Sequence, residues 1–205
     1  MAGAQNDDSL KQEMPLPARL SATTLFLFEA VFRPHQIGAI LPSGRALSRA
    51  MARWLPTDPD AYVVELGPGT GSVTEALVRQ GLREDRLIAI EKSPKMADLL
   101  RNMFPKAKII TGDAFQLDKL LQRHAPHAEK FGAVVCSLPL RNFRAAVADN
   151  LAKKIRVMLP PGGRLIQYTY RIASTPPRAS HHFERVASKI VWFNVPPARV
   201  SVFQK

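Results

Sequence analysis

Cysteine is nearly missing: Cys136 stands alone in 205 residues. A single thiol cannot close a disulfide within the chain, which suits a reducing cytoplasm and excludes a cross-linked secreted scaffold. Metal-ligand spacing is missing too. The five histidines are scattered, and adjacent His181 and His182 cannot easily face one ion, so no metal is implied. Acid is scarce. Asp and Glu number 17 against 29 Lys and Arg, a net charge of +12. Three of those acids and one lysine lie in residues 1–14, which leaves the remainder at +14. Such a surface expects a polyanion, nucleic acid or an anionic membrane, unless it is basic and inert. No apolar run approaches the roughly 20 residues needed to span a bilayer. A charged start and a small-residue cleavage site are lacking, so no cleaved signal peptide is read.

What is present begins at Tyr62. Tyr62-Val63-Val64-Glu65-Leu66 is an apolar strand that runs into Gly67-Pro68-Gly69-Thr70-Gly71. Branched and aromatic residues favour a buried parallel strand. The glycines allow a tight turn and let a ligand approach the backbone. Ser72 to Gln80 continues as a helix with Val73, Ala76 and Leu77 on one face. Strand, glycine turn and helix N-terminus together make the nucleotide site of doubly wound sheets. The next strand, Leu87–Ile90, leads into Glu91, at the spacing where an acid holds two ribose hydroxyls. Glu65 occupies the strand end, where a dinucleotide fold usually keeps an apolar residue. The motif is therefore E-x-G-x-G-x-G. On the plainest reading, the two acids merely cap strands and the glycines only turn the chain.

In this motif the chain resembles the class I S-adenosylmethionine-dependent methyltransferases. The resemblance continues through a third strand, Lys108–Thr111, into Gly112-Asp113-Ala114, which looks like that superfamily's adenine-contacting turn. A fourth strand, Ala133–Cys136, ends in Ser137-Leu138-Pro139-Leu140, where amine methylators place a substrate-facing turn. The resemblance implies S-adenosylmethionine as cofactor. Gly67, Gly69 and Gly71 would then shape its pocket, and Glu65 would hold the methionine ammonium. Glu91 would bind the ribose, Asp113 the adenine amino group with the Ala114 amide nearby, and Ser137 would border the site. Cys136 reads as a small core residue, with a nucleophilic role as the alternative.

The remaining apolar runs alternate with helical segments at Lys95–Met103, Phe143–Met158 and around Phe183–Ser188. Pro161-Gly162-Gly163 precedes a fifth strand, Arg164–Tyr170. Lys189–Val195 and Arg199–Phe203, joined by Pro196-Pro197, read as an antiparallel hairpin. The expected fold is α/β: a single Rossmann-like methyltransferase domain with a mostly parallel seven-stranded sheet and an antiparallel C-terminal hairpin. Residues 1–19 read as disordered, 20–54 as amphipathic membrane-associating helices and 55–205 as the cofactor-binding core.

Two helices precede the core. Leu25 to Phe32 is apolar except for Glu29. Either it covers the sheet as a core helix, or it lies in a membrane interface flanked by Arg19, Arg33 and His35. Ser43 looks like the N-cap of a second helix, about Gly44 to Trp54, with Ala46, Leu47, Ala50, Met51 and Trp54 facing inward. Arg45, Arg49 and Arg53 recur every fourth residue beside that face, a stripe suited to lipid phosphates or simply to water.

Adenine and amide methylators carry an aromatic residue at the fourth position of the substrate turn, and Leu140 stands there instead. The base-stacking platform is missing, which argues against a nucleobase. With the aromatic leader, Gly38–Ser43 and the two turns in order, the chain is similar to bacterial phospholipid N-methyltransferases of the small soluble type. That similarity implies a cytoplasmic, peripherally membrane-associated enzyme that methylates phosphatidylethanolamine towards phosphatidylcholine. Its partners would be that lipid and an anionic membrane surface, with no nucleic acid. Candidate catalytic groups are Ser137, the Leu138 carbonyl, Tyr168 and Tyr170; the two tyrosines read equally well as one ring inward and one outward. Candidate lipid contacts are Phe28, Phe32, Arg33, Arg45, Arg49, Arg53 and Arg178. The alternative is a ribosomal-RNA adenine dimethylase-like enzyme or an RNA-binding protein, although a chain of this length is expected to lack the further RNA-binding domain.

Overall fold

Short apolar strands separated by amphipathic helices can bury both kinds of element only by layering helices on a sheet. The computed structural model describes residues 42–170, 172 and 181–205. In chain order it contains α1 (Pro42–Ala52), β1 (Tyr62–Leu66), α2 (Ser72–Arg79), β2 (Leu87–Glu91), α3 (Pro94–Met103) and β3 (Lys108–Thr111). Then come α4 (Leu117–His124), β4 (Phe131–Cys136), α5 (Ala145–Met158), β5 (Arg164–Thr169), β6 (Glu184–Val191) and β7 (Ala198–Gln204). One sheet of seven strands runs in the order β3-β2-β1-β4-β5-β7-β6. The first five are parallel, and β7 is antiparallel to both β5 and β6.

Alternation along the strands sends side chains to the two faces of the sheet. Val64, Leu66, Ile88, Ile90, Val134, Cys136 and Leu165 meet α4 and α5 on one face. Val63, Leu87, Val135, Ile166 and Val200 meet α1 and α2 on the other. Leu47 and Met51, one turn apart, bury α1 on that second face. Helix α1 thus shares its buried face with the strands of the sheet. Helix α1 starts at Pro42, so Ser43 lies inside its first turn instead of capping it.

The register fixes where the site must be. Leu66 pairs with Ile90 and Cys136, and Cys136 with Gln167. The chain therefore leaves β1, β2, β4 and β5 at one edge, where open α/β sheets bind ligands. Thr169 pairs with Arg199, and Val191 with Ala198, so the turn at residues 192–197 projects from the same edge.

Two local expectations fail. The segment around Phe183–Ser188 is strand, not helix, from Glu184 onward, where β6 starts. It is an edge strand exposed on both faces, so it lacks the two-residue alternation that marks a strand in sequence. Helix α4 goes unannounced because only Leu117 and Leu121 are buried in a charged eight-residue segment. Among the described residues, no helix is long and apolar enough to cross a membrane.

Candidate active site

Each element of the site begins where a strand stops. After β1 the chain turns through Gly67, Gly69 and Gly71, all at positive φ. Two of these positions differ in what surrounds them. A Cβ at Gly67 (φ +70°) would stand 2.5 Å from Leu138 Cδ2, so this glycine lets the turn after β4 close against the turn after β1. A Cβ at Gly69 (φ +57°) would meet nothing within 4 Å. Gly69 therefore faces open space, as a ligand-facing backbone requires. Gly71 precedes α2, and its carbonyl accepts the Glu75 amide at 2.8 Å.

The acids sit directly behind this turn. Glu65 is fully buried, and Thr74 Oγ1 on α2 donates to its Oε2 at 2.7 Å. Its other oxygen, Oε1, is buried without a partner among the described residues. Burial pushes the Glu65 carboxyl up to about 7, with Glu91 adding to the rise and Thr74 opposing it. A buried acceptor with no partner is costly unless something supplies a donor. Glu91 is buried at the end of β2; its Oε2 accepts the Gly69 amide at 3.0 Å and its Oε1 the Ser93 amide at 2.8 Å. Asp113 is more committed than its expected adenine contact implies. Its Oδ1 accepts the Phe115 amide and its Oδ2 pairs with Lys92 Nζ, each at 3.0 Å. Partial burial works against its charge, yet these two partners hold its carboxyl below the usual range. A carboxylate accepts about four hydrogen bonds, so room for a further donor remains. Ala114 follows, buried.

The Ser137 amide donates to the Leu66 carbonyl at 2.9 Å, which fixes the turn after β4 beside the glycine turn. Ser137 Oγ is buried without a partner among the described residues. The Leu138 carbonyl, a candidate acceptor for a substrate amine, already accepts the Leu140 amide at 2.8 Å. One lone pair is left. Cys136 is fully buried, and burial pushes its thiol up to about 12, so it is an inert core residue.

Tyr168 and Tyr170 lie two residues apart and therefore on one face, which removes the reading with one ring inward and one outward. Their centroids are 5.5 Å apart at 81°. The two hydroxyls are neighbours, and Asn194 lies beside Tyr170. Burial raises both hydroxyls above the ordinary tyrosine range, so at neutral pH both remain phenols and neither is a base.

Arg45 and Arg49 are exposed on α1, and Arg53 is exposed in the turn that follows it. Phe28, Phe32, Arg33 and Arg178, together with the Leu25–Phe32 run, lie outside the described residues. Thr74, Lys92 and Asn194 belong to the site although the sequence alone does not point to them. Thr74 carries one faint signal: it is a polar residue on the inner side of a helix whose other inward residues are Val73 and Leu77. A depression of about 620 Å³ lined by Tyr62, Arg101, Lys106 and His127 lies at the opposite sheet edge, away from all these groups.

Comparison with known proteins is consistent with this geometry. Residues 63–163 match the methyltransferase domain family. The chain is 32% identical over 149 residues to an ornithine lipid N-methyltransferase from Singulisphaera acidiphila, covering 70% of this chain and 77% of that protein. It is 34% identical over 83 residues to ribosomal RNA small subunit methyltransferase A from Chlorobium chlorochromatii, but that match spans 40% of this chain and 30% of the relative. Among solved structures, 1,6-didemethyltoxoflavin-N1-methyltransferase from Burkholderia thailandensis, with S-adenosylhomocysteine bound, shares the fold at a TM-score of 0.63 and 16% identity, covering 93% of each chain.

Proposed function

The chain belongs to the S-adenosylmethionine-dependent methyltransferases, and from that membership we propose that it methylates the amine of phosphatidylethanolamine, and of its mono- and dimethylated products, at a membrane surface. The observation that carries this reading is the substrate turn. Ser137 and Leu138 retain groups able to hold an amine, while Leu140 removes the ring that would stack on a base. The relative matched over most of both chains acts, by its name, on a lipid amine. That relative also favours a second acceptor, ornithine lipid, whose free amine would meet the same turn.

S-adenosylmethionine is the cofactor, and the residues present fit it. Glu65 Oε1, buried without a partner among the described residues, would accept the ammonium of the methionine end. The open side of Gly69 would give the cofactor backbone to lie against, Glu91 would hold the ribose, and Asp113 with Ala114 would border the adenine. When bound, the cofactor supplies an electrophilic methyl on a sulfonium. The chain's own task is alignment. Ser137 Oγ and the remaining lone pair of the Leu138 carbonyl orient the lipid nitrogen. A primary amine titrates near 10, as lysine does, so it must lose a proton before it attacks. Tyr168 and Tyr170 are phenols at neutral pH and cannot take that proton. Their edge-to-face rings can instead wall in the alkylated ammonium product.

Two outcomes check this reading. Glu91→Ala is expected to weaken cofactor binding by about 1.5–3 kcal/mol, through loss of the ribose acceptor and of the carboxylate that fixes the Gly69 amide. Calorimetric titration measures it, and wild-type affinity would remove Glu91 from the site. For the substrate, the purified protein receives labelled cofactor with phosphatidylethanolamine vesicles, ornithine lipid vesicles or total RNA. Label is expected in phosphatidylethanolamine. Label in ornithine lipid alone would correct the headgroup, and labelled adenine after RNA digestion would overturn the lipid reading.

A further inference from the structure

Trp192, Phe193 and Val195 are 64%, 89% and 73% exposed, an apolar cluster on the turn between β6 and β7. We propose that this turn inserts into a bilayer of net negative charge and seats the active-site edge on it, an inference that rests on the lipid reading above. Turns of soluble proteins normally put Asn, Asp, Gly or Ser outward. Here the arrangement is inverted. Asn194 is buried, its amide donates to the Val191 carbonyl at 3.3 Å, and its Nδ2 donates to the Pro196 carbonyl at 2.6 Å. The polar residue is spent on holding the turn, and the indole, the phenyl ring and the valine stand in solvent. An indole and a phenyl ring on a fixed tip are suited to the headgroup boundary.

Position and charge choose the partner. The turn leaves the sheet at the edge that carries Gly67–Gly71 and Ser137–Leu140, beside Tyr170, which Asn194 touches. Lys95, Arg144 and Lys189 are exposed along or just below that edge. Glu65 and Glu91 at that edge are buried, and Glu75 and Asp113 are ion-paired with Arg79 and Lys92. Apolar tip and basic rim together match an anionic lipid surface. The arginine stripe of α1 is differently placed. Arg164, the first residue of β5, donates to the Trp54 and Leu55 carbonyls at 3.3 and 3.4 Å, so α1 ends at the far edge of the sheet. Arg45 and Arg53 are then about 12 Å apart along the helix axis. A surface resting on the 192–197 turn faces the Arg45 end of that helix and leaves Arg53 behind.

The test uses the full chain. Trp54 and Trp192 are its two tryptophans, so Trp54→Phe leaves Trp192 as the sole reporter. Adding vesicles of phosphatidylethanolamine and phosphatidylglycerol should shift Trp192 emission to the blue and protect it from acrylamide. Phe193→Ser with Val195→Ser should lower vesicle partitioning at least tenfold, with the melt and cofactor affinity unchanged. Unaltered Trp192 emission on vesicles that sediment the protein would overturn the proposal. So would serine variants that bind vesicles like wild type, or that turn a dimer into a monomer without affecting vesicle binding. Methylation of detergent-dispersed phosphatidylethanolamine reports separately on the substrate. If it is absent while Trp192 still enters vesicles, the docking role is supported and the proposed substrate fails.

Discussion

Replacing Glu65 with glutamine is expected to abolish useful cofactor affinity and, above pH 7, to stabilise the cofactor-free protein. Both effects come from one buried carboxyl. Its ordinary value is 4.5, and burial raises it to about 7 in the fold. A carboxyl raised on folding contributes stability that is fully present below its unfolded value and is lost as pH rises through the folded one. By pH 8 the cofactor-free fold carries that buried charge at a cost on the order of 3 kcal/mol. Glutamine carries none, and its carbonyl can still accept the Thr74 hydroxyl. The variant should therefore melt about 5–10 °C higher than wild type at pH 8, and the two should melt alike near pH 4. Binding moves the other way. The amide nitrogen would face the cofactor's ammonium, donor against donor, and the affinity should fall by about 3–5 kcal/mol. In wild type the affinity should rise as pH passes through 7 and Glu65 ionises. It should fall again as the cofactor's α-amino group, near 8, loses its proton. Titration calorimetry at pH 6, 7 and 8 with scanning calorimetry of both proteins tests this. A flat pH profile with equal affinities would detach Glu65 from the cofactor.

What sequence makes legible here follows burial. Strands β1, β2 and β4 are buried on both faces, so Val63-Val64, Leu87–Ile90 and Ala133–Cys136 stand out as apolar runs. The glycine turn and the strand-terminal acids are legible because covalent geometry and charge dictate them locally. Edge strand β6 is illegible for the opposite reason, since Glu184, Arg185 and Val186 all face water. The site's pairings are hidden as well. Thr74 reaches Glu65 from nine positions away, and Lys92 reaches Asp113 from twenty-one. Such contacts exist only once helices are laid on the sheet. The tyrosines show a subtler limit. Their spacing places them on one face, but only the packed structure reveals that they are buried edge to face, which raises both hydroxyls further above neutral pH. The apolar tip at Trp192 and Phe193 reads in sequence as part of a hairpin strand. Its exposure depends on β7 lying between β5 and β6, an order that periodicity does not encode.

Placing asparagine at Gly67 and, separately, at Gly69 should produce opposite failures, although the motif presents the two glycines alike. Asparagine tolerates positive φ better than other side chains, so backbone strain is kept small at both positions. The difference left is what the new side chain meets. At Gly69 it enters open space, so the protein should melt within about 4 °C of wild type, the shift expected for roughly 1 kcal/mol. That same space is the proposed cofactor site, and the affinity should fall at least about a hundredfold, a loss near 3 kcal/mol. At Gly67 the Cβ would stand 2.5 Å from Leu138 Cδ2 and 3.2 Å from its Cγ. Leucine must move, and overpacking of this kind costs about 1–3 kcal/mol. The Gly67 variant should be the less stable of the two, and adding Leu138→Ala should recover part of the loss through a coupling of about 1 kcal/mol. Thermal melts and cofactor titrations of the three variants separate the cases. Full cofactor affinity in the Gly69 variant would move the cofactor away from this turn. A Gly67 variant that melts like wild type, with no gain from Leu138→Ala, would mean that the two turns do not press on one another.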